Sequence, residues 1–163
     1  MSVAIVEAKN TEQLGVVTAL LMEYAKSMGE KLADSSLGKD LQEGLIRYSP
    51  PKGRLLLAVD DEEAVGCAGL SYIDEDTCEL KRVYVKEILR GDGIGTQLSK
   101  TVLRHARWIG YKRAVLSVYR TNAAAIKLYE RLGFTEVAPF KDNGINEQLC
   151  FMGYELSNGD QHL

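Results

Sequence analysis

Arg90-Gly91-Asp92-Gly93-Ile94-Gly95-Thr96 is the stretch on which the reading of this chain turns. The segment before it, Thr77–Val85, is an apolar strand-like run. The segment after it carries Ile94, Leu98, Val102, Ala106 and Ile109 at helical spacing. The spacing therefore predicts a strand, a glycine turn and a helix. Glycines there can take positive φ and let the backbone come close to a ligand. The unpaired N–H groups that open the helix, together with its dipole, favour an anion such as phosphate. Arg90 adds a planar, permanently charged donor. A Walker loop is excluded because no Gly-Lys-Ser/Thr follows. A dinucleotide fingerprint fails too: the glycines run G-x-G-x-G, and no acidic residue stands about 20 positions on. R-x-x-G-x-G remains. Taken alone, the stretch reads equally well as a glycine turn that merely joins strand to helix.

Upstream of the turn lie three apolar segments, Arg54–Val59, Ala64–Ile73 and Thr77–Val85, separated by acidic turns. They predict an antiparallel meander. Downstream, Gly110 ends the helix and Arg113–Val118 is a further strand, so Thr77 to Val118 reads as a right-handed parallel crossover. Asn122 caps a helix bearing Ala125, Leu128, Tyr129 and Leu132, which Gly133 closes. Thr135–Val137 and Glu147–Leu156 complete the strands. At the other end, Val3–Val6 is a strand. Thr11 is the expected cap of a helix with Leu14, Val17, Leu21, Tyr24 and Met28 on one face. Residues 29–38 read as a loop and Lys39 to Arg47 as a short helix. Seven strands and four helices result, in a mixed α/β order that is not the strict alternation of a doubly wound dinucleotide fold. Residues 1–156 read as one domain and 157–163 as a frayed tail.

The glycine turn resembles the coenzyme A pyrophosphate loop of the GNAT acetyltransferase superfamily. A second stretch, Asn122-Ala-Ala-Ala125-Ile-Lys-Leu128-Tyr129-Glu-Arg-Leu-Gly133-Phe134, is similar to that superfamily's N-x-x-A-x-x-L-Y-x-x-x-G-F signature. The two occur in the family's order, and the element order fits over nearly the whole chain. The resemblance implies a mostly antiparallel seven-stranded sheet with a splayed central parallel pair, flanked by about four helices. It also implies direct, sequential transfer of an acetyl group from acetyl-CoA to a primary amine, that of a small molecule, an amino acid-like compound or a protein. The pantetheine arm would lie between Thr77–Val85 and Arg113–Val118, with Tyr84 and Val85 offering backbone groups and Asn122 a hydrogen bond. The pyrophosphate would rest on the N–H groups from Gly91, Asp92, Gly93, Ile94 and Gly95 to Thr96, beside Arg90. Asp92 departs from the basic or neutral residue usual at its place, so its carboxylate is expected to face solvent. Tyr129 would donate a proton to the leaving thiolate. Glu79 would be the base for the amine, or else pair with Lys81, Arg82 or a neighbouring strand in a solvated patch. Strand alternation would put one of Lys81 and Arg82 in the cleft, to hold a carboxylate on the acceptor. Tyr24, Tyr72 and Phe140 are candidate walls. A non-catalytic acyl-CoA sensor is the alternative, and a nucleotide-binding protein a weaker one.

Composition narrows the partners. The chain has 163 residues, 45% apolar and 26% charged, the balance of a soluble globular domain. No apolar run is long enough for a transmembrane helix, and the first residues lack a secretory pattern, so the cytoplasm is expected. Cys67, Cys78 and Cys150 stand in apolar segments without a metal-ligand spacing, so no metal is expected. The net charge of -3 argues against nucleic acid. That total conceals an asymmetry: residues 81–120 hold ten basic side chains against Glu87 and Asp92. The cationic segment contains the glycine turn, which suits a small polyanion. A homodimer is compatible with all of this.

Overall fold

The computed structural model describes residues 3–29, 32, 35–142 and 144–156. The expected tail, 157–163, lies outside the described residues. Strands β1 (Val3–Glu7), β2 (Arg54–Asp60), β3 (Glu63–Tyr72), β4 (Thr77–Val85), β5 (Arg113–Tyr119), β6 (Thr135–Glu136) and β7 (Leu149–Glu155) form one sheet, in the order β1-β2-β3-β4-β5-β7-β6. Only β4 and β5 are parallel. The helices are α1 (Thr11–Ser27), α2 (Ser36–Gln42), α3 (Ile94–Ile109) and α4 (Ala123–Leu132). The expected architecture therefore holds.

Local chemistry corrects several boundaries. Asn10, not Thr11, caps α1: its side chain accepts from the Gln13 N–H at 2.7 Å, and Gln13 returns a bond to the Asn10 N–H. The buried face of α1 is Val17, Leu20, Leu21 and Ala25, while Met28 ends the helix exposed. The second helix begins at Ser36, because Ser35 caps it through the Gly38 N–H. It ends at Gln42, and Gly44 and Leu45 take left-handed φ before a single turn, Ile46–Tyr48. The last strand starts at Leu149, since Asn146–Gln148 is a 3-10 turn.

Two apolar layers sandwich the sheet. On one face α3 lays Ile94, Leu98, Val102, Leu103 and Ala106 over β1 to β4, with Cys78, Leu80, Ala114, Leu116 and Tyr129 in the same cluster. On the other, α1 and the α2 region bury Leu21, Leu37, Leu45 and Tyr48 against Leu55, Leu57 and Cys67. Each fully buried aliphatic side chain contributes about 1.5–3 kcal/mol.

The sheet is irregular where it matters. Between Cys67↔Tyr84 and Gly69↔Lys81, β4 spends one more residue than β3. This is a β-bulge, and Arg82 within it has φ +60. Its side chain is anchored across the sheet face to α2. Arg82 Nε donates to Asp40 Oδ2 at 2.9 Å, and an Arg82 terminal nitrogen donates to Ser36 Oγ at 2.8 Å. The Tyr48 hydroxyl donates to the same Asp40 oxygen. Asp40 is 1% exposed. Burial alone would raise its pKa, but the Tyr48 hydroxyl and the Arg82 guanidinium outweigh that and hold it below the usual carboxylate range.

Asp40→Ala leaves the Arg82 cation without its buried partner, so a loss of about 3 kcal/mol or more is expected in urea unfolding. Because the folded-state pKa is depressed, the Asp40 contribution is complete above the unfolded value of about 3.9. It declines as pH falls below that. Wild type is therefore expected to lose stability more steeply than Asp40→Ala in acid unfolding curves.

Candidate active site

The parallel pair supplies the opening. β4 and β5 are bonded only at Thr77↔Arg113, Cys78↔Ala114 and Glu79↔Val115. Beyond Glu79 the strands part. The Lys86 N–H donates to Val65 O, which makes Gly66↔Val85 a non-hydrogen-bonded pair with β3. The Val85 N–H and C=O consequently point away from β3, into the gap. Tyr84 is one residue out of phase: its carbonyl lies against Gly66 of β3, and its hydroxyl donates to Glu23 at 3.1 Å. Of the two backbone positions read from the sequence, Val85 alone faces the gap.

At the mouth of the gap the chain turns through the glycine loop. Gly91 and Gly93 have φ of +96 and +81, and a Cβ on either would meet no atom within 4 Å. These glycines thus serve backbone conformation and leave the surface open. Gly93 is the N-cap of α3 and provides no side-chain cap, so no side chain covers the N–H groups of Ile94, Gly95 and Thr96. Asp92 is exposed. Arg90 donates from Nε to Val85 O at 3.1 Å and lies over the Tyr84 ring, fastening the loop to the end of β4. At the far side Asn122 caps α4 through Oδ1 to the Ala125 N–H at 3.1 Å. Its amide NH2 is not used by that cap. An open glycine cradle, an uncapped helix start and a strand edge with outward backbone groups together fit a pyrophosphate with an amide-bearing arm.

Glu79 and Tyr129 lie on opposite faces of the sheet. Glu79 alternates with Cys78 and Leu80 of the α3 layer, so it points to the other side. It is 5% exposed, and the Lys141 ammonium lies 2.7 Å from its Oε2. Its partner is thus Lys141, from the segment between β6 and β7, rather than Lys81 or Arg82. Tyr129, on α4, is buried in the α3-side apolar layer, edge-on to Phe134 at 5.6 Å. Burial pushes its phenol up to about 12. Ser99 on α3 works the other way, although the buried Ser99 Oγ has no partner at hydrogen-bond geometry.

The bulge also overturns the expectation that Lys81 and Arg82 face opposite sides. The extra residue resets the alternation, and both reach the α2 face. Arg82 is taken up by Asp40. Lys81 has no ion-pair or hydrogen-bond partner among the described residues, and burial brings its ammonium down to about 8, partly opposed by Glu79. Ser71, opposite Glu79 on β3, is likewise buried with an unpartnered Oγ. Of the candidate walls, Tyr24 stands against Tyr84 and Phe140 against Phe151, but Tyr72 turns to Glu75 in the β3–β4 turn. Asp40, Tyr48, Lys141 and Ser71 escaped the sequence reading, since none stands in a motif and two, Tyr48 and Lys141, lie outside the expected helices and strands. Among the described residues no helix is long and apolar enough to cross a membrane, and no cluster of three or more His, Cys, Asp or Glu could hold a metal.

Residues 17–134 match the family model described as the acetyltransferase (GNAT) family. The chain belongs to the GNAT family. An uncharacterised N-acetyltransferase of Schizosaccharomyces pombe is 29% identical over 96% of both chains. The N-acetylaspartate synthetase of Danio rerio is 33% identical over 73% of this chain and 43% of its own. A GNAT acetyltransferase from Staphylococcus aureus superposes with a TM-score of 0.77 at 22% identity, covering 95% of this chain and 99% of that one. The Thermoplasma acidophilum PaiA N-acetyltransferase, solved with coenzyme A, gives 0.73 at 20% identity over 95% and 99%. This GNAT chain is thereby an acetyl-CoA-dependent N-acetyltransferase.

Gly93→Val places a branched side chain at a φ of +81 and covers the cradle. Coenzyme A affinity is expected to fall at least roughly tenfold by calorimetry, the effect of about 1.4 kcal/mol.

Proposed function

We propose that this GNAT enzyme acetylates a small amine that also carries a carboxylate, of the amino acid kind. The observation that carries this reading is Lys81. It is a half-buried cation left over when Lys141–Glu79 and Arg82–Asp40 are paired. Lys81 and Glu79 lie two residues apart on one strand face, a repeat of roughly 7 Å. One small molecule can thus present its amine to Glu79 and its carboxylate to Lys81. The name of the Danio rerio relative supports the same class, because aspartate is an amino acid with carboxylates.

In this reading Val85 and Asn122 orient the pantetheine arm, and the N–H groups from Gly91 to Thr96 hold the pyrophosphate with Arg90. Acetyl-CoA supplies an activated acetyl group at the parting of β4 and β5. Glu79 takes the proton that the acceptor ammonium, ordinarily of pKa about 10.4, must lose. Tyr129 serves the departing sulfur from the other face as a hydrogen-bond donor. A phenol at about 12 is a weaker acid than a thiol at about 8.5, so full proton transfer to the thiolate would be uphill. The donated hydrogen bond stabilises the charge as it forms.

Tyr129→Phe is expected to lower kcat about 10²-fold while the coenzyme A Kd changes less than about twofold. Unchanged turnover would remove Tyr129 from the chemistry. Lys81→Met is expected to raise KM for carboxylate-bearing amines roughly tenfold or more, and to leave KM for amines without a carboxylate unaltered. Lys81 is charged below about 8 and loses its charge above it. The ratio of the two KM values should therefore favour the carboxylate-bearing amine below that pH and lose this preference above it. Equal pH profiles for both amines would contradict the assignment.

A further inference from the structure

The segment between β6 and β7 crosses the sheet face that holds Glu79. Phe140 stands edge-on to Phe151 of β7 at 5.1 Å, and the Asn146 side-chain amide donates to Lys141 O at 3.1 Å. Between these ties, Lys141 presents its ammonium to Glu79 Oε2 at 2.7 Å. The other lysine ion pairs among the described residues, of Lys9, Lys52, Lys86 and Lys112, are between 3.4 and 3.8 Å. Their carboxylates are all more exposed than Glu79, whose side chain is 6% exposed. Glu79 is also the last rung before β4 and β5 part. An amine of the chain itself thus occupies the place that the preceding reading gives to the amine of the acceptor.

We propose that Lys141 is an acetyl acceptor within its own chain, a self-acetylation site. The proposal rests on Glu79 acting as the base and on the acetyl group arriving at the parting of the strands. Glu79 takes a proton from the Lys141 ammonium. The freed Nζ lone pair forms the N–C bond to the acetyl carbonyl carbon, and the C–S bond breaks with its electrons going to sulfur. The sulfur leaves as the coenzyme A thiol once it takes up a proton, and the second Nζ proton goes to solvent. The products are N-acetyl-Lys141 and coenzyme A, with no oxidant or reductant involved. Acetylation removes the positive charge, so Lys141 no longer pairs with Glu79 and the reaction stops at one acetyl group per chain.

The full chain is incubated with isotopically labelled acetyl-CoA in the absence of any amine and followed by intact and peptide mass spectrometry. One labelled acetyl group per chain is expected, on the peptide carrying Lys141, with a half-time independent of protein concentration. Lys141→Arg should take up none there, and Glu79→Gln should slow uptake about 10²-fold. Unlabelled acetyl already on Lys141 in the purified protein, but missing from Glu79→Gln, supports the proposal equally. Label distributed over Lys9, Lys127 and Lys141 at similar rates overturns it, as does a rate that rises with protein concentration. Coenzyme A release driven by added amines with Lys141 unmodified overturns self-acetylation alone. Absence of both overturns this proposal together with the reading of Glu79 as base.

Discussion

One buried ion pair holds the functional geometry in place. Asp40 and Arg82 meet at 2.9 Å with Tyr48 beside them, and Arg82 sits in the residue by which β4 exceeds β3. A left-handed arginine in a strand is strained, by roughly 1–2 kcal/mol. It persists because its guanidinium is satisfied by Asp40 and Ser36. The bulge changes which side each later residue faces. Val83 and Val85 return to the α3 layer and Tyr84 to the α1 layer. The same irregularity lies next to the point where β4 and β5 cease to pair, so the contact with α2 is made at the edge of the gap.

The electrostatic arrangement follows from that frame. On the glycine-loop side the charge is mostly backbone: uncapped N–H groups at the start of α3, with Arg90 drawn back to Val85 O. On the α2 side it consists of side chains: Asp40 is met by Arg82 and Arg47, Glu79 by Lys141, and Lys81 has no partner among the described residues. In the proposed function, an anionic coenzyme and a zwitterionic amine meet fields of different origin on either side of one strand. Burial sharpens both, because charges taken from water interact through a lower effective dielectric. Glu79 and Tyr129 belong to different faces of the sheet, and in the proposed function they reach one ligand through the place where β4 and β5 separate.

Much of this was legible in residue order. The glycine turn and the Asn122–Phe134 stretch mark local events, a helix start that must stay open and a capped helix carrying Tyr129. The periodicity of α3 gave its buried face. What failed were the places where side-chain chemistry overrides pattern. Asn10 and Gln13 moved the α1 cap, Ser35 moved the start of α2, and the bulge defeated the alternation that separates Lys81 from Arg82. Lys141 and Asp40 carried no signal, because a lysine in an irregular segment and an aspartate in a short helix read as ordinary solvated charges.

The sequence by itself determined the order of elements, the glycine turn that opens α3 and the family, since each depends on residues close together along the chain. The tertiary structure alone decided that Glu79 is met by Lys141, that Arg82 is spent on Asp40, and that Lys81 is left over. Those pairings join positions tens of residues apart, and they are set by the one-residue bulge and by burial, neither of which a linear pattern records.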